Sequence, residues 1–269
     1  MPELASTVEL ALAGLALTLL LALLTWVASL LRNDVSLVDR VWPILITGAG
    51  WVYFARVPEP GARSLCMLVL ASLWALRLSV FITRRNWGRG EERRYRQIRE
   101  RNQPGFRYNS LYLVFALQAV LAWVVSAPFL AGVAEVSRAS ALNWLDGTGI
   151  ALAAFGIVFE AVADAQMAHF KADPAHRGQV MDRGLWRYTR HPNYFGEACI
   201  WWGLWLMALA GVGWGSAWSV VSPLLMTLLL LKVSGVRLLE KDIAERRPAY
   251  RDYIARTNAF VPGPARRQR

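Results

Sequence analysis

Residues 8–31 read VELALAGLALTLLLALLTWVASLL, twenty-four positions with one ionisable side chain, Glu9. A helix rises about 1.5 Å per residue, so a run of this length exceeds the ~30 Å of a bilayer's hydrocarbon core. It is too long for a strand and carries no proline. This run sets the fold class, because a backbone in lipid must satisfy its own polar groups and does so most simply as a helix.

Six further apolar runs follow, over 41–54, 64–83, 110–133, 145–163, 195–210 and 217–236. The second and sixth are short, and Pro223 inside the seventh is expected to kink it. The sequence therefore predicts an all-α integral membrane bundle of about seven transmembrane helices. With 55% hydrophobic residues and a mean hydropathy of +0.31, no soluble class fits. Met1-Pro2-Glu3 lacks the basic start of a cleaved signal peptide, so the first run is expected to be retained. No linker or repeat divides the chain, which predicts a single membrane domain over 1–269.

The basic residues then orient the bundle. Residues 84–107 hold nine arginines against three glutamates, residues 171–190 five basic residues, and the tail 237–269 nine. With Arg32 and Arg40, all of these fall on one side of a seven-span chain. The other side holds Arg56, Arg63 and Arg138. Basic loops stay cytoplasmic, which predicts the N-terminus out and the C-terminus cytoplasmic. The net charge of +11 is thus accounted for by topology, with the arginine tail suited to contact anionic lipid headgroups, the loop from Arg84 to Tyr95 too mixed in sign for a plain lipid-binding run, and no nucleic-acid partner expected.

Several chemistries have no motif here. There is no GxGxxG, no Walker loop and no GxSxG; Gly147-Thr148-Gly149 reads as a helix start. Cys66 and Cys199 lie in apolar runs, and three histidines (169, 176, 191) are too scattered for a metal cluster. No metal site is expected.

One stretch does carry chemistry: Gly184-Leu-Trp-Arg-Tyr-Thr-Arg-His-Pro-Asn-Tyr-Phe-Gly-Glu197, running into Trp201-Trp202-Gly203. Pro192 suits the first turn of a helix, where its missing N–H costs nothing. Asn193, Glu197 and Trp201 follow at i, i+4 and i+8 and share a face, with Tyr194 beside Glu197. An interfacial aromatic belt explains Trp186, Arg187 and Tyr188. It does not explain a carboxylate one turn into a span, which is costly and tends to be functional. Glu160 and Asp164 form a second polar stripe that continues through Gln166, His169 and Lys171; these acids either face solvent or bind a polar ligand. In the first half, Asp34, Asp39 and Arg40 flank the second run, and Glu91, Arg94 and Tyr95 lie in the basic loop. Glu240 follows the seventh run, and Tyr250 and Tyr253 stand in the tail.

The run from Asp164 to Trp202, centred on Asn193-Tyr194-Phe195-Gly196-Glu197, resembles the C-terminal domain of the steroid 5α-reductase family, nearest its bacterial and plant branch. The resemblance extends to Asp39-Arg40-Val-Trp42, Trp74-Ala-Leu-Arg77, Glu91 to Tyr95 and the tail from Glu240 to Pro262. It implies an NADPH-dependent reductase of a carbon–carbon double bond conjugated to a carbonyl, in a sterol, polyprenoid or fatty enoyl lipid. By this resemblance residues 1–133 form the substrate side and 145–262 the cofactor side. Asp164, Asn193, Tyr194 and Glu197 would contact NADPH, and Lys171, Arg190, Arg237, Tyr250 and Tyr253 its phosphates or ribose. His191, Trp201 and Glu240 complete the expected cofactor-binding set. The glutamine–glutamate pair of the steroid reductases is missing, which leaves Tyr95, Glu91 and Asp39 as catalytic candidates.

Arg190-His191-Pro192-Asn193-Tyr194-Phe195-Gly196 also resembles isoprenylcysteine carboxyl methyltransferases, whose cofactor is S-adenosylmethionine. A non-enzymatic membrane protein is the third reading. The expected partners are a lipidic substrate and membrane lipids, with no obligate protein partner. The expected location is the bacterial inner membrane, with the active site on its cytoplasmic face.

Overall fold

The computed structural model describes residues 6–134, 137–138, 140–233, 236, 240 and 248–266. Among them every regular element is helical. The long helices are α1 (Thr7–Arg32), α2 (Leu37–Ala55), α3 (Ala62–Asn86), α4 (Arg93–Arg101) and α5 (Phe106–Gly132). They are followed by α6 (Trp144–Ala172), α7 (Pro192–Val212), α8 (Val221–Leu228) and α9 (Tyr250–Arg256).

Local chemistry sets the ends. Glu9 opens α1 as half of a capping box: Ser6 Oγ accepts the Glu9 N–H at 3.2 Å, and Glu9 Oε2 accepts the Ser6 N–H at 2.6 Å. Asn33, with φ 52°, closes the same helix in the left-handed region. Helix α5 carries a π-helical turn over Leu111–Ala116 and is interrupted at Ser126, two residues before Pro128.

Among the described residues five helical stretches are long and apolar enough to cross a membrane: Thr7–Arg32, Ala62–Asn86, Phe106–Gly132, Trp144–Ala172 and Pro192–Lys232. The chain is an integral membrane protein. Element bounds differ from the apolar runs in instructive ways. Helix α6 continues to Ala172, nine residues past the expected 163, because Asp164, Gln166 and Lys171 are compatible with a helix and nothing breaks it before Asp173-Pro174. Helix α7 starts at Pro192 rather than 195 and reaches Val212, so the sixth run gives a full-length helix of 21 residues. The seventh run is not one kinked α-helix. A 3₁₀ segment (Gly213–Val220) leads into α8, where Pro223 occupies the first turn and needs no N–H partner, and a π-helical turn (Leu229–Val233) follows.

The chain divides into two compact units: residues 1–146 with 207–222, and residues 147–206 with 223–269. In the first, α1 packs on α2, α2 on α3, and α5 on both α1 and α2. Small residues let these helices close on large ones. A Cβ on Gly50 would lie 2.7 Å from Leu68 and 2.8 Å from Phe129, and one on Gly132 2.9 Å from Met67. The loop before α6 is held by a buried ion pair. Arg63 donates through Nε to Asp146 Oδ1 (2.7 Å) and through Nη2 to Asp146 Oδ2 (2.8 Å). Its remaining donors reach Ser137 O, Ser140 Oγ and Ala141 O.

In the second unit α6 and α7 cross backbone to backbone. A Cβ on Gly196 would lie 2.7 Å from Gly156 O, and one on Gly203 2.6 Å from Gly149 O and 2.7 Å from Ala153 N. Both helices thus offer glycines seven residues apart, in antiparallel order, and small residues are what permits such contact between membrane helices. Gly203→Ala is therefore expected to destabilise by about 1–3 kcal/mol through overpacking, despite alanine's better helix propensity. Gly147→Ala, where a Cβ meets nothing within 4 Å, is the control. Thermal unfolding in detergent that leaves the Gly203→Ala variant as stable as the control would refute the contact.

Candidate functional site

The motif at 184–197 is built by two anchors. On one side the loop is pinned to α6: Leu185 N–H donates to Gln166 Oε1 (3.0 Å), and Trp186 Nε1–H donates to Ala163 O (3.0 Å). On the other side the C-terminal tail closes over it. Tyr253 O–H donates to Trp186 O, Gly263 N–H to Tyr188 O (3.0 Å), Arg190 N–H to Asn258 O (2.9 Å) and Thr189 Oγ1–H to Phe260 O (2.8 Å). Tail and motif are thereby one folded piece, although the bonded residues lie 67 to 75 positions apart in the chain.

Arg190 and His191 are the keystone of that closure. Arg190 donates to Glu240 through Nε (2.7 Å) and Nη2 (2.9 Å), and its Nη1 reaches the carbonyls of Ile254 (3.1 Å) and Thr257. His191 Nε2–H donates to Glu240 Oε1 at 3.0 Å, and its ring stacks on Tyr194 with centroids 5.3 Å apart. Arg190 is thus engaged along both edges by protein acceptors, and together with Glu240 it holds the tail.

Burial pushes the Glu240 carboxyl up, but the hydrogen bonds from His191 and Arg190 outweigh it and hold the group at about 2. A carboxylate depressed in the folded protein stabilises the fold above its ordinary value of 4.5, and that contribution is lost as pH falls from 4.5 towards 2. Amide exchange over residues 250–258, corrected for its intrinsic pH dependence, should rise across that window. The Glu240→Gln variant should exchange quickly already at neutral pH and show no such step. A flat wild-type profile would remove Glu240 from the latch.

Beneath the latch lie the polar groups of the two spans. Glu160, Asp164 and Glu197 are all buried. The Gly156–Gly196 contact places Glu160 against the first turns of α7, where a Cβ on Gly196 would be 2.8 Å from Glu160 N. One helical turn further, antiparallel geometry brings Asp164 level with the start of α7. Asn193 Oδ1 is a buried acceptor without a hydrogen-bond partner among the described residues. Such an atom costs free energy unless something donates to it. Trp201 is fully buried, Lys171 is exposed, and Tyr250 packs edge-on against Tyr253 at 5.2 Å. Arg237, the other expected phosphate contact, lies outside the described residues.

The other unit carries its own constellation. Tyr95, 2% exposed, donates its O–H to Asp39 Oδ1 at 2.7 Å and accepts from Arg94 Nη2 at 3.1 Å. Arg94 Nη2 also donates to Asp39 Oδ2 at 2.5 Å. Burial pushes the Tyr95 hydroxyl well above the ordinary tyrosine range, and the Asp39 charge adds to this against Arg94. The phenol therefore stays protonated at neutral pH. Glu91 does not join the pair. It accepts from Arg99 (2.9 and 2.8 Å) and from Val35 N–H (2.9 Å), which together outweigh its burial and hold its carboxyl below the ordinary glutamate range.

Arg94 is the member to which the sequence assigns no role; its one signal is adjacency to Tyr95, since Asp39 lies in α2, fifty-six positions before Tyr95. The tail carbonyls that hold Arg190 have no sequence signal, since any residue supplies one.

No solved structure matches the chain. It is 28% identical, over 93% of its length and 78% of the relative's, to the uncharacterized protein C594.04c of Schizosaccharomyces pombe (strain 972 / ATCC 24843). Residues 25–257, which hold both constellations, match the sequence family described as "Protein of unknown function (DUF1295)". The chain therefore belongs to the DUF1295 family.

Proposed function

We propose that this chain is an NADPH-dependent reductase of a carbon–carbon double bond conjugated to a carbonyl in a lipidic substrate. The observation that carries this reading is the Tyr95–Asp39–Arg94 constellation. Hydride addition to an enone or enoyl ester leaves an enolate that must be stabilised and protonated. A buried tyrosine kept neutral, oriented by a carboxylate and flanked by a guanidinium, is a proton donor suited to that charge. After transfer, Arg94 stabilises the tyrosinate, and Asp39, whose side chain is 18% exposed, leads the hole back to solvent for reprotonation. The steroid reductases' glutamine–glutamate pair is absent, and in this reading Asp39 stands in for its carboxylate.

The residues of the 160–197 stripe fit a nucleotide. The orphaned Asn193 Oδ1 needs a donor, which a carboxamide N–H or ribose O–H supplies. Asp164 and Glu197 are buried carboxylates, a type of acceptor that ribose hydroxyls would suit. Bound NADPH would supply the hydride; Asp164, Asn193, Tyr194 and Glu197 would hold it, with Lys171 exposed for a phosphate. Arg190, His191 and Glu240 act as positioning residues that keep the tail closed. In the membrane we read α2 as a sixth crossing and residues 192–232 as two, with the basic loops cytoplasmic.

The test is binding of NADPH and of S-adenosylmethionine to detergent-purified protein. Micromolar NADPH binding is expected, weakened about 10- to 100-fold by Glu197→Gln through loss of a charged hydrogen bond. Binding of S-adenosylmethionine alone would instead establish the methyltransferase reading, and binding of neither would leave no cofactor role for the stripe.

A further inference from the structure

As sequence, the loop 84–107 is mixed in sign, with nine arginines and three glutamates. The fold sorts the signs. Glu91 turns inward to Arg99 and Val35 N–H. Glu92 accepts from Arg85 Nη2 at 2.9 Å and from Asn86 Nδ2. Both acids are spent on holding α4 to its neighbours. Arg84, Arg89, Arg96, Arg101 and Arg107 remain exposed, and none makes an ion pair among the described residues; Glu100 is the exposed acid among them.

Aromatic side chains flank this basic surface. Trp87 is 70% exposed, Tyr108 66% and Tyr112 59%. Trp87 follows the end of α3 directly, and Tyr108 and Tyr112 stand on the first turns of α5. Because α3 and α5 are both apolar enough to cross a bilayer, their ends and the intervening α4 lie at one membrane face. Exposed Trp and Tyr at such a level are headgroup-depth anchors.

We propose that the α3–α5 loop is a docking surface for anionic phospholipid headgroups, with α4 lying along the membrane. Its exposed charges are spread from the end of α3 along α4 to the start of α5, which suits several headgroups and not one soluble anion. The outward arginines supply the attraction, and the inward glutamates keep that surface from neutralising itself. This inference does not depend on the proposed reductase activity.

The experiment titrates the full-length chain in detergent with phosphatidylglycerol or phosphatidylcholine and counts bound lipids by native mass spectrometry. Phosphatidylglycerol should bind preferentially, and less so at high salt. An arginine near a lipid surface is worth about fivefold in affinity, so Arg96→Gln/Arg101→Gln/Arg107→Gln should weaken phosphatidylglycerol binding on the order of 100-fold. Phosphatidylcholine binding should not change, and Glu100→Gln should strengthen phosphatidylglycerol binding severalfold. If the triple variant fails to fold, Arg107→Gln alone should still give the fivefold loss. Unchanged phosphatidylglycerol binding in these variants would overturn the proposal. Full displacement of the lipid by millimolar inorganic phosphate would overturn it too, by marking a site for a soluble anion.

Discussion

Arg63→Met is expected to destabilise the protein by about 3–5 kcal/mol, the largest stability effect of any substitution proposed for this chain. Arg63 and Asp146 side chains are each 1% exposed, and the two bidentate contacts at 2.7 and 2.8 Å leave the carboxylate no route to water. Removing the guanidinium strands that charge, together with the Ser137 and Ala141 carbonyls that Arg63 also satisfies. Asp146 has a second duty, accepting the Asn143 N–H at 2.8 Å where α6 begins, so Asp146→Asn should cost a similar amount. The double substitution Arg63→Met/Asp146→Leu removes both charges at once. It should recover much of the loss, because most of the single-variant penalty is an uncompensated charge. Thermal unfolding in detergent measures all three. A fall of about 10 °C is expected for the singles. Singles that shift the midpoint by no more than a surface substitution, or a double variant as unstable as their sum, would show that the pair is not a coupled unit.

Tyr95→Phe should have the largest effect on activity. It removes one oxygen from a buried site and keeps the ring that packs with Val38 and Phe106 in the core. In the proposed reaction it deletes the proton donor, and a general acid contributes roughly 10²- to 10⁴-fold to rate. Turnover should fall by that factor while NADPH affinity stays at the wild-type value. Asp39→Asn keeps the hydrogen-bond geometry but loses the charge, and should fall between the two. The assay follows transfer of deuterium from labelled NADPH to a long-chain enone or enoyl ester. Wild-type turnover by the Tyr95→Phe variant would discard the proton-donor role, whereas absence of any turnover in the wild type would discard the substrate class.

The two constellations differ in how much of each a reader of the sequence sees. Asn193, Glu197 and Trp201 are visible because a helix imposes its own spacing: four residues apart means one face, whatever surrounds it. Tyr95 and Asp39 were individually conspicuous, yet their hydrogen bond spans fifty-six positions and no local rule pairs them. The resemblance implies Arg190 as a phosphate or ribose contact of the cofactor. What the sequence does not show is that Arg190 donates to Glu240 and to two tail carbonyls. Arg63 counted in the sequence as one charge on the sparsely basic side of the chain, and it turns out to be buried.

The apolar runs alone determined that this is a helical membrane protein, because hydrocarbon admits few other backbone solutions and run length needs no tertiary context. They also located most of the membrane-length helices, missing their polar ends and the division of the seventh run into 3₁₀, α and π segments. The 8–31 run even concealed its cap, since Glu9 reads as an intrusion until Ser6 is seen to need it. Tertiary structure decided everything that depends on which charge meets which. Ion pairs, the tail latch, the glycine crossing of α6 and α7, and the sorting of inward acids from outward arginines join residues distant in sequence. Electrostatics and packing act through space, and a sequence records only the order along the chain.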